Sequence, residues 1–108
     1  MIAIPFTKNW NNKLDCDYFT TIRLWNPTKY RLNAQAVITL HGKNYTNVVI
    51  KDVRKLKFSQ INDWIARLDA GMSAPELKAM FRKMYQAKAR VPMEDVEFVW
   101  VMLERMKL

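Results

Sequence analysis

The sequence predicts an α+β fold: a small antiparallel β-barrel with two helices inserted between a hairpin and a closing strand. Three observations predict it. Short β-branched segments are separated by turn residues. Two stretches after the hairpin carry apolar residues at helical spacing. The last apolar run, residues 98–103, is continuous and β-favouring, as suits a strand buried on both faces. A chain of 108 residues has the usual size of one domain, so residues 1–108 are expected to form a single unit.

The first strand is expected at residues 2–4, halted by Pro5. Residues 10–17 are polar and suit one helical turn or an irregular loop. Residues 20–24 are β-branched and apolar enough for a second strand, and Asn26-Pro27 marks the turn after it. In residues 34–40, Ala36, Ile38 and Leu40 alternate onto one face. The turn chemistry of His41-Gly42-Lys43-Asn44 follows, then a β-branched run over residues 47–53, which together predict an antiparallel hairpin. Ser59 is the expected cap of the first helix, where Ile61, Trp64, Ile65 and Leu68 recur at helical spacing. Ser73-Ala74-Pro75-Glu76 is a capping box opening the second helix, with proline in its first turn. Leu77, Met80, Phe81 and Met84 make its apolar stripe, read as core. Strands at both ends with helices between them suggest a curled sheet, the helices lying on its face or over one mouth.

Half of the residues are hydrophobic and 26% are charged, which is ordinary for a folded protein. Cys16 is the single cysteine and His41 the single histidine. No internal disulfide can form, and a zinc site, which needs three or four such ligands, is not expected. The carboxylates lack calcium-loop spacing. Two glycines exclude phosphate-loop and dinucleotide signatures, so no metal or cofactor is expected. A serine or cysteine nucleophile would have only His41 as its base. The first residues lack the basic and apolar regions of a signal peptide, and no window approaches a membrane span. A cytoplasmic protein with no membrane partner is the expectation.

The formal net charge is +8, from 18 basic and 10 acidic residues. Such an excess attracts polyanions. Basic and aromatic residues interleave at Arg23, Trp25, Lys29, Tyr30 and Arg31. More cations follow at Lys55 and Lys57, and along the second helix at Lys78, Arg82 and Lys83. Lysine and arginine neutralise phosphates, while an exposed Trp25 or Tyr30 would stack on an unpaired base.

Tyr18-Phe19-Thr20-Thr21-Ile22-Arg23 resembles the segment G-x-K-x-x-T-x-R that ASCH domains, of the PUA-like superfamily, carry before a strand. Thr21-Ile22-Arg23 matches its T-x-R end. Residues 30–37 are similar to the family's aromatic-x-x-G-D-x-hydrophobic entry into the barrel, with Asn33 at the glycine position, where asparagine best tolerates a left-handed conformation. Residues 71–77 resemble the stretch leading into the late helix, and residues 98–103 the closing strand. The resemblance spans nearly the whole chain. It implies a small barrel with a cleft beside the T-x-R segment and RNA or nucleoside ligands.

Some compact bacterial members of the family are acetylcytidine amidohydrolases using a lysine, a threonine and a glutamate. The threonine matches Thr21, the lysine position falls on Tyr18 and the glutamate position on Ala70, beside Asp69. With two of three positions altered, the expectation leans to a non-enzymatic module that binds RNA or another nucleic acid. Arg23 and Thr21 would line the cleft, Trp25 and Tyr30 would stack, and Lys55, Lys57 and Arg82 would meet phosphates. The alternatives are a diverged amidohydrolase built on Thr21, Tyr18 and Asp69, and a protein-interaction scaffold.

Overall fold

The computed structural model describes residues 1–107. Five strands, β1 (Ile2–Phe6), β2 (Tyr18–Leu24), β3 (Gln35–Leu40), β4 (Lys43–Lys57) and β5 (Glu97–Arg105), form one curled sheet in the order β1-β3-β4-β5-β2. The expected hairpin is β3–β4, turned through His41 and Gly42, both at positive φ as a tight two-residue turn requires. β5 pairs antiparallel with β4 on one side and β2 on the other. β1 departs from the antiparallel expectation by lying parallel to β3. The 28 residues between Phe6 and Gln35, β2 included, give the chain ample length for that crossover. β1 also runs through Pro5 rather than stopping at it. An edge strand tolerates a missing N–H on its unpaired side.

β4 and β5 are both longer than the apolar runs that announced them. β4 outlasts its run because its partner strands change along it: β3 pairs with its first half and β5 with the stretch from Val48 to Lys57, with a bulge between Ile50 and Asp52. Asn33 takes a left-handed φ of 67°, as its resemblance to a glycine position implies.

Two helices sit between β4 and β5: α1 (Asp63–Ala70) and α2 (Ala74–Tyr85). α2 begins with the predicted capping box, Ser73 accepting from the Glu76 N–H and Glu76 reaching back to Ser73. The cap of α1 is a correction. Ser59 lies in a 3-10 turn over Phe58–Gln60, and Asn62 caps α1 instead, its Oδ1 accepting from the Ile65 N–H at 3.0 Å. The inward face of α1 differs too. Ala66, Asp69 and Ala70 are buried, while Trp64 and Leu68 stand 78% and 63% exposed. Two alanines let the helix approach the sheet closely, and the contacts of Asp69 with Lys13 and Thr20 hold that rotation.

The hydrophobic core has two parts. Within the concave side of the sheet pack Ile4, Phe19, Ile38, Ile50, Val99, Val101 and Leu103. Between the sheet and the helices pack Ile22, Leu56, Phe58, Leu77, Phe81 and Phe98. β5 alternates between them from Phe98 to Val101, Val99 and Val101 facing one and Phe98 and Trp100 the other, while Met102 further along is 41% exposed. An aromatic cluster ties α2 to β5, with Phe81 stacked on Phe98 at 5.1 Å and Tyr85 edge-on to it at 5.8 Å. No helix of the described residues is long and apolar enough to cross a membrane.

Candidate ligand-binding site at the sheet seam

β1 and β2 are the two edges of the sheet, and side chains rather than backbone hydrogen bonds join them. The Arg23 guanidinium on β2 lies 4.6 Å from the ring centre of Phe6 on β1. A half-enclosed cavity of about 310 Å³ opens at this seam, at the lower end of the roughly 300–1,000 Å³ typical of small-molecule pockets. Its walls are mostly apolar, from Phe6, Trp10, Met80, Met84 and Tyr85, with Thr21, Arg23, Lys13 and Asp69 as the polar groups.

Lys13 comes from the short 3-10 segment Trp10–Asp15. Asn11 and Asn12 take left-handed conformations there, which asparagine adopts more readily than most residues. The Asn9 side chain accepts from the Leu14 N–H at 2.9 Å and holds the bend. The turn drives Lys13 and Leu14 inward. Lys13 Nζ donates to the Asp69 backbone oxygen at 2.8 Å and stands 3.4 Å from its carboxylate. That oxygen belongs to the last turn of α1, whose carbonyls lack helical partners and attract a cation. Asp69 also accepts from Thr20 Oγ1 at 2.8 Å. Burial works against both charges. It lowers the Lys13 pKa, with Asp69 opposing, and raises that of Asp69, with Lys13 opposing.

Arg23 is largely buried, which lowers its pKa while the nearby tyrosines and Asp69 oppose the shift. Its Nε donates to Thr21 Oγ1 at 3.0 Å. Among the described residues no carboxylate pairs with it. A guanidinium without an ion-pair partner on the wall of a mostly apolar cavity leaves N–H donors free to meet a hydrogen-bond acceptor.

The sequence-derived site residues divide. Thr21, Arg23 and Asp69 meet in this cavity, and Ala70 lines it as well. Tyr18 does not: it is 55% exposed and donates to Glu104 Oε2 at 2.6 Å across the β2–β5 pair. Three residues along a strand reverse the face, so Tyr18 points away from Thr21. Its hydrogen bond to Glu104 raises its pKa further from neutrality. Tyr30 is only 6% exposed and belongs to the core, so its ring offers no stacking surface. Trp25 is half-buried and lines a neighbouring cleft. Lys55 sits 4.9 Å from its ring and pairs with Glu97 at 2.6 Å. Lys57 and Arg82 line neither hollow. Arg82 and Lys78 instead lie over the ring of Phe58, at 5.0 and 5.4 Å.

Lys13 and Tyr85 are among the site residues that sequence reasoning missed, with Phe6 and Trp10. A lysine in a polar loop carries no local mark of burial. Tyr85 follows the apolar stripe of α2 by one residue, so extending that stripe past Met84 would have found it.

The sequence matches no protein-family model and no curated protein. Solved structures do match. A protein from Enterococcus faecalis V583, of family DUF984, superposes with a TM-score of 0.71 at 8% identity, over 98% of this chain and 76% of that one. An ASCH domain from Lactobacillus crispatus JV V101 superposes with a TM-score of 0.67 at 16% identity, over 95% of this chain and 77% of that one. A hypothetical protein gives 0.65 at 14% identity over 96% of this chain and 97% of its own.

Proposed function

From an ASCH-like α+β fold with a ligand-sized cavity at its sheet seam, we propose that the protein binds RNA or another nucleic acid by taking one unpaired base into that cavity. The observation that supports this reading is Arg23, a largely buried guanidinium with no carboxylate ion-pair partner on a mostly apolar wall. Trp10, Met80 and Tyr85 supply the flat and deformable apolar surface that a base ring prefers. Arg23 donates to the carbonyl and ring-nitrogen acceptors on the edge of the base. The excess of positive charge adds a sequence-independent attraction for the phosphates around it.

The test is a salt-series titration with short single-stranded and duplex RNA, comparing the parent with Arg23→Ala. Single-stranded RNA binds more tightly than duplex, because a base must be unpaired to enter the cavity. Affinity falls steeply with salt, and the substitution weakens it by about tenfold or more. Absent or salt-independent binding overturns the reading.

A second reading is hydrolysis of an amide on a modified nucleoside such as acetylcytidine. It is favoured by one observation: Lys13, Thr21 and Asp69 share the cavity, the lysine arriving from a different segment than Tyr18. Burial brings the Lys13 amine nearer the neutral form a general base needs. Water adds to the amide carbonyl, the C–N bond breaks, and acetate and the free amine leave. Release of acetate from acetylcytidine, lost in Lys13→Met and Thr21→Val but kept in Tyr18→Phe, tests it. No release sinks it.

A further inference from the structure

A second hollow lies beside the first, and the proposed function leaves it unassigned. It is a cleft of about 370 Å³ whose lining includes Trp25, Tyr85, Lys88, Arg90, Asp95 and Glu97. Tyr85 lines both hollows, so they adjoin. Arg23 in the cavity and Trp25 in the cleft are two residues apart along one edge. The pairing of β2 with β5 extends to Trp25, whose N–H donates to the Glu97 carbonyl at 3.1 Å. Two residues of strand place the two side chains on the same face about 7 Å apart.

The charges of the cleft are unevenly committed. Glu97 is held by Lys55, which itself lies over the Trp25 ring. Among the described residues Lys88 and Arg90 form no ion pair, and they face one uncommitted carboxylate, Asp95. An aromatic wall with two free cations, one short step from a base-sized cavity, suits a sugar-phosphate unit and its base.

Resting on the proposed reading, we infer that the protein recognises two consecutive nucleotides of a single strand. One base enters the Thr21–Arg23 cavity. Lys88 and Arg90 hold a phosphate next to it, and the second nucleotide lies against Trp25. The ligand class is thus a single-stranded oligonucleotide rather than a free nucleoside.

The experiment is a calorimetric titration of the parent chain with the four common ribonucleosides and their homodinucleotides. The best-binding pair is then repeated on a Lys88→Ala/Arg90→Ala double variant and on Trp25→Ala. Both cations are exposed on the surface, so the double variant leaves the core intact. The dinucleotide binds about tenfold or more tightly than its nucleoside. The double variant removes that gain and leaves nucleoside affinity unchanged, and Trp25→Ala does the same in part. Equal affinity for nucleoside and dinucleotide overturns the two-nucleotide site while leaving the base cavity standing. So does an equal loss for both ligands in the double variant. If neither ligand binds, the cavity reading fails, and this inference falls with it.

Discussion

Lys13 and Asp69 are a salt-bridged pair held where burial disfavours either charge, an arrangement that well-packed hydrophobic residues of similar volume often match in stability. A pair of this kind beside a cavity points to function. Lys13→Met strands the Asp69 carboxylate, and urea denaturation should show a loss of about 3–5 kcal/mol. Adding Asp69→Leu restores much of it, because the uncompensated charge is gone. The pH dependence has a definite sign. Folding lowers the Lys13 pKa below 10.5, so between the lowered value and 10.5 the unfolded chain binds more protons than the native one. The stability of the parent relative to Lys13→Met therefore rises with pH across that window. A flat difference would mean that Lys13 titrates alike in both states. Tyr18→Phe, by contrast, removes only an exposed hydrogen bond to Glu104 and leaves ligand binding unchanged.

The helices separate local signals that decide structure from those that do not. Asn62 and Ser59 are both good capping residues, three apart, yet only Asn62 has its side chain on the first turn of α1. Asn62→Ala should destabilise the fold by about 1 kcal/mol and Ser59→Ala by less than about 0.5 kcal/mol. The same helix shows how a spacing argument misleads. Ile61, Trp64, Ile65 and Leu68 recur as a core stripe would, but Ala66 and Ala70 occupy the inner face and Trp64 faces solvent. Trp64→Ser should shift stability by less than about 0.5 kcal/mol in thermal unfolding, where a buried tryptophan would cost about 3–5 kcal/mol. In α2 the capping box and the buried pair Leu77 and Phe81 agree, so box and stripe locate the helix together.

The whole molecule rests on α2 being clamped to β5 beneath the cavity. Phe98 is fully buried and touches the rings of Phe58, Phe81 and Tyr85. Phe98→Ala should cost about 3–5 kcal/mol and also weaken binding, since Phe81 and Tyr85 form part of the cavity wall. Unfolding and titration of the same variant check both effects. Unchanged binding in a destabilised Phe98→Ala would show that the cavity does not depend on this clamp. At this scale the sheet is an open curl whose missing seam is filled by Arg23, Phe6 and Lys13, and the proposed site lies where the barrel fails to close.

Local chemistry by itself determined the α+β class, the hairpin at His41-Gly42, the box at Ser73–Glu76 and the buried closing strand, because turn, cap and alternation preferences act within a few residues. The T-x-R segment was legible for a different reason, its resemblance to the ASCH motif; once on one strand, Thr21 and Arg23 share a face. Only the tertiary structure decided the parallel placement of β1, the rotation of α1, and the meeting of Lys13 with Asp69 across 56 positions of sequence. Each of these depends on partners far along the chain. The burial that shifts the Lys13 and Asp69 pKa values exists only once the sheet has curled and the helices have covered its seam.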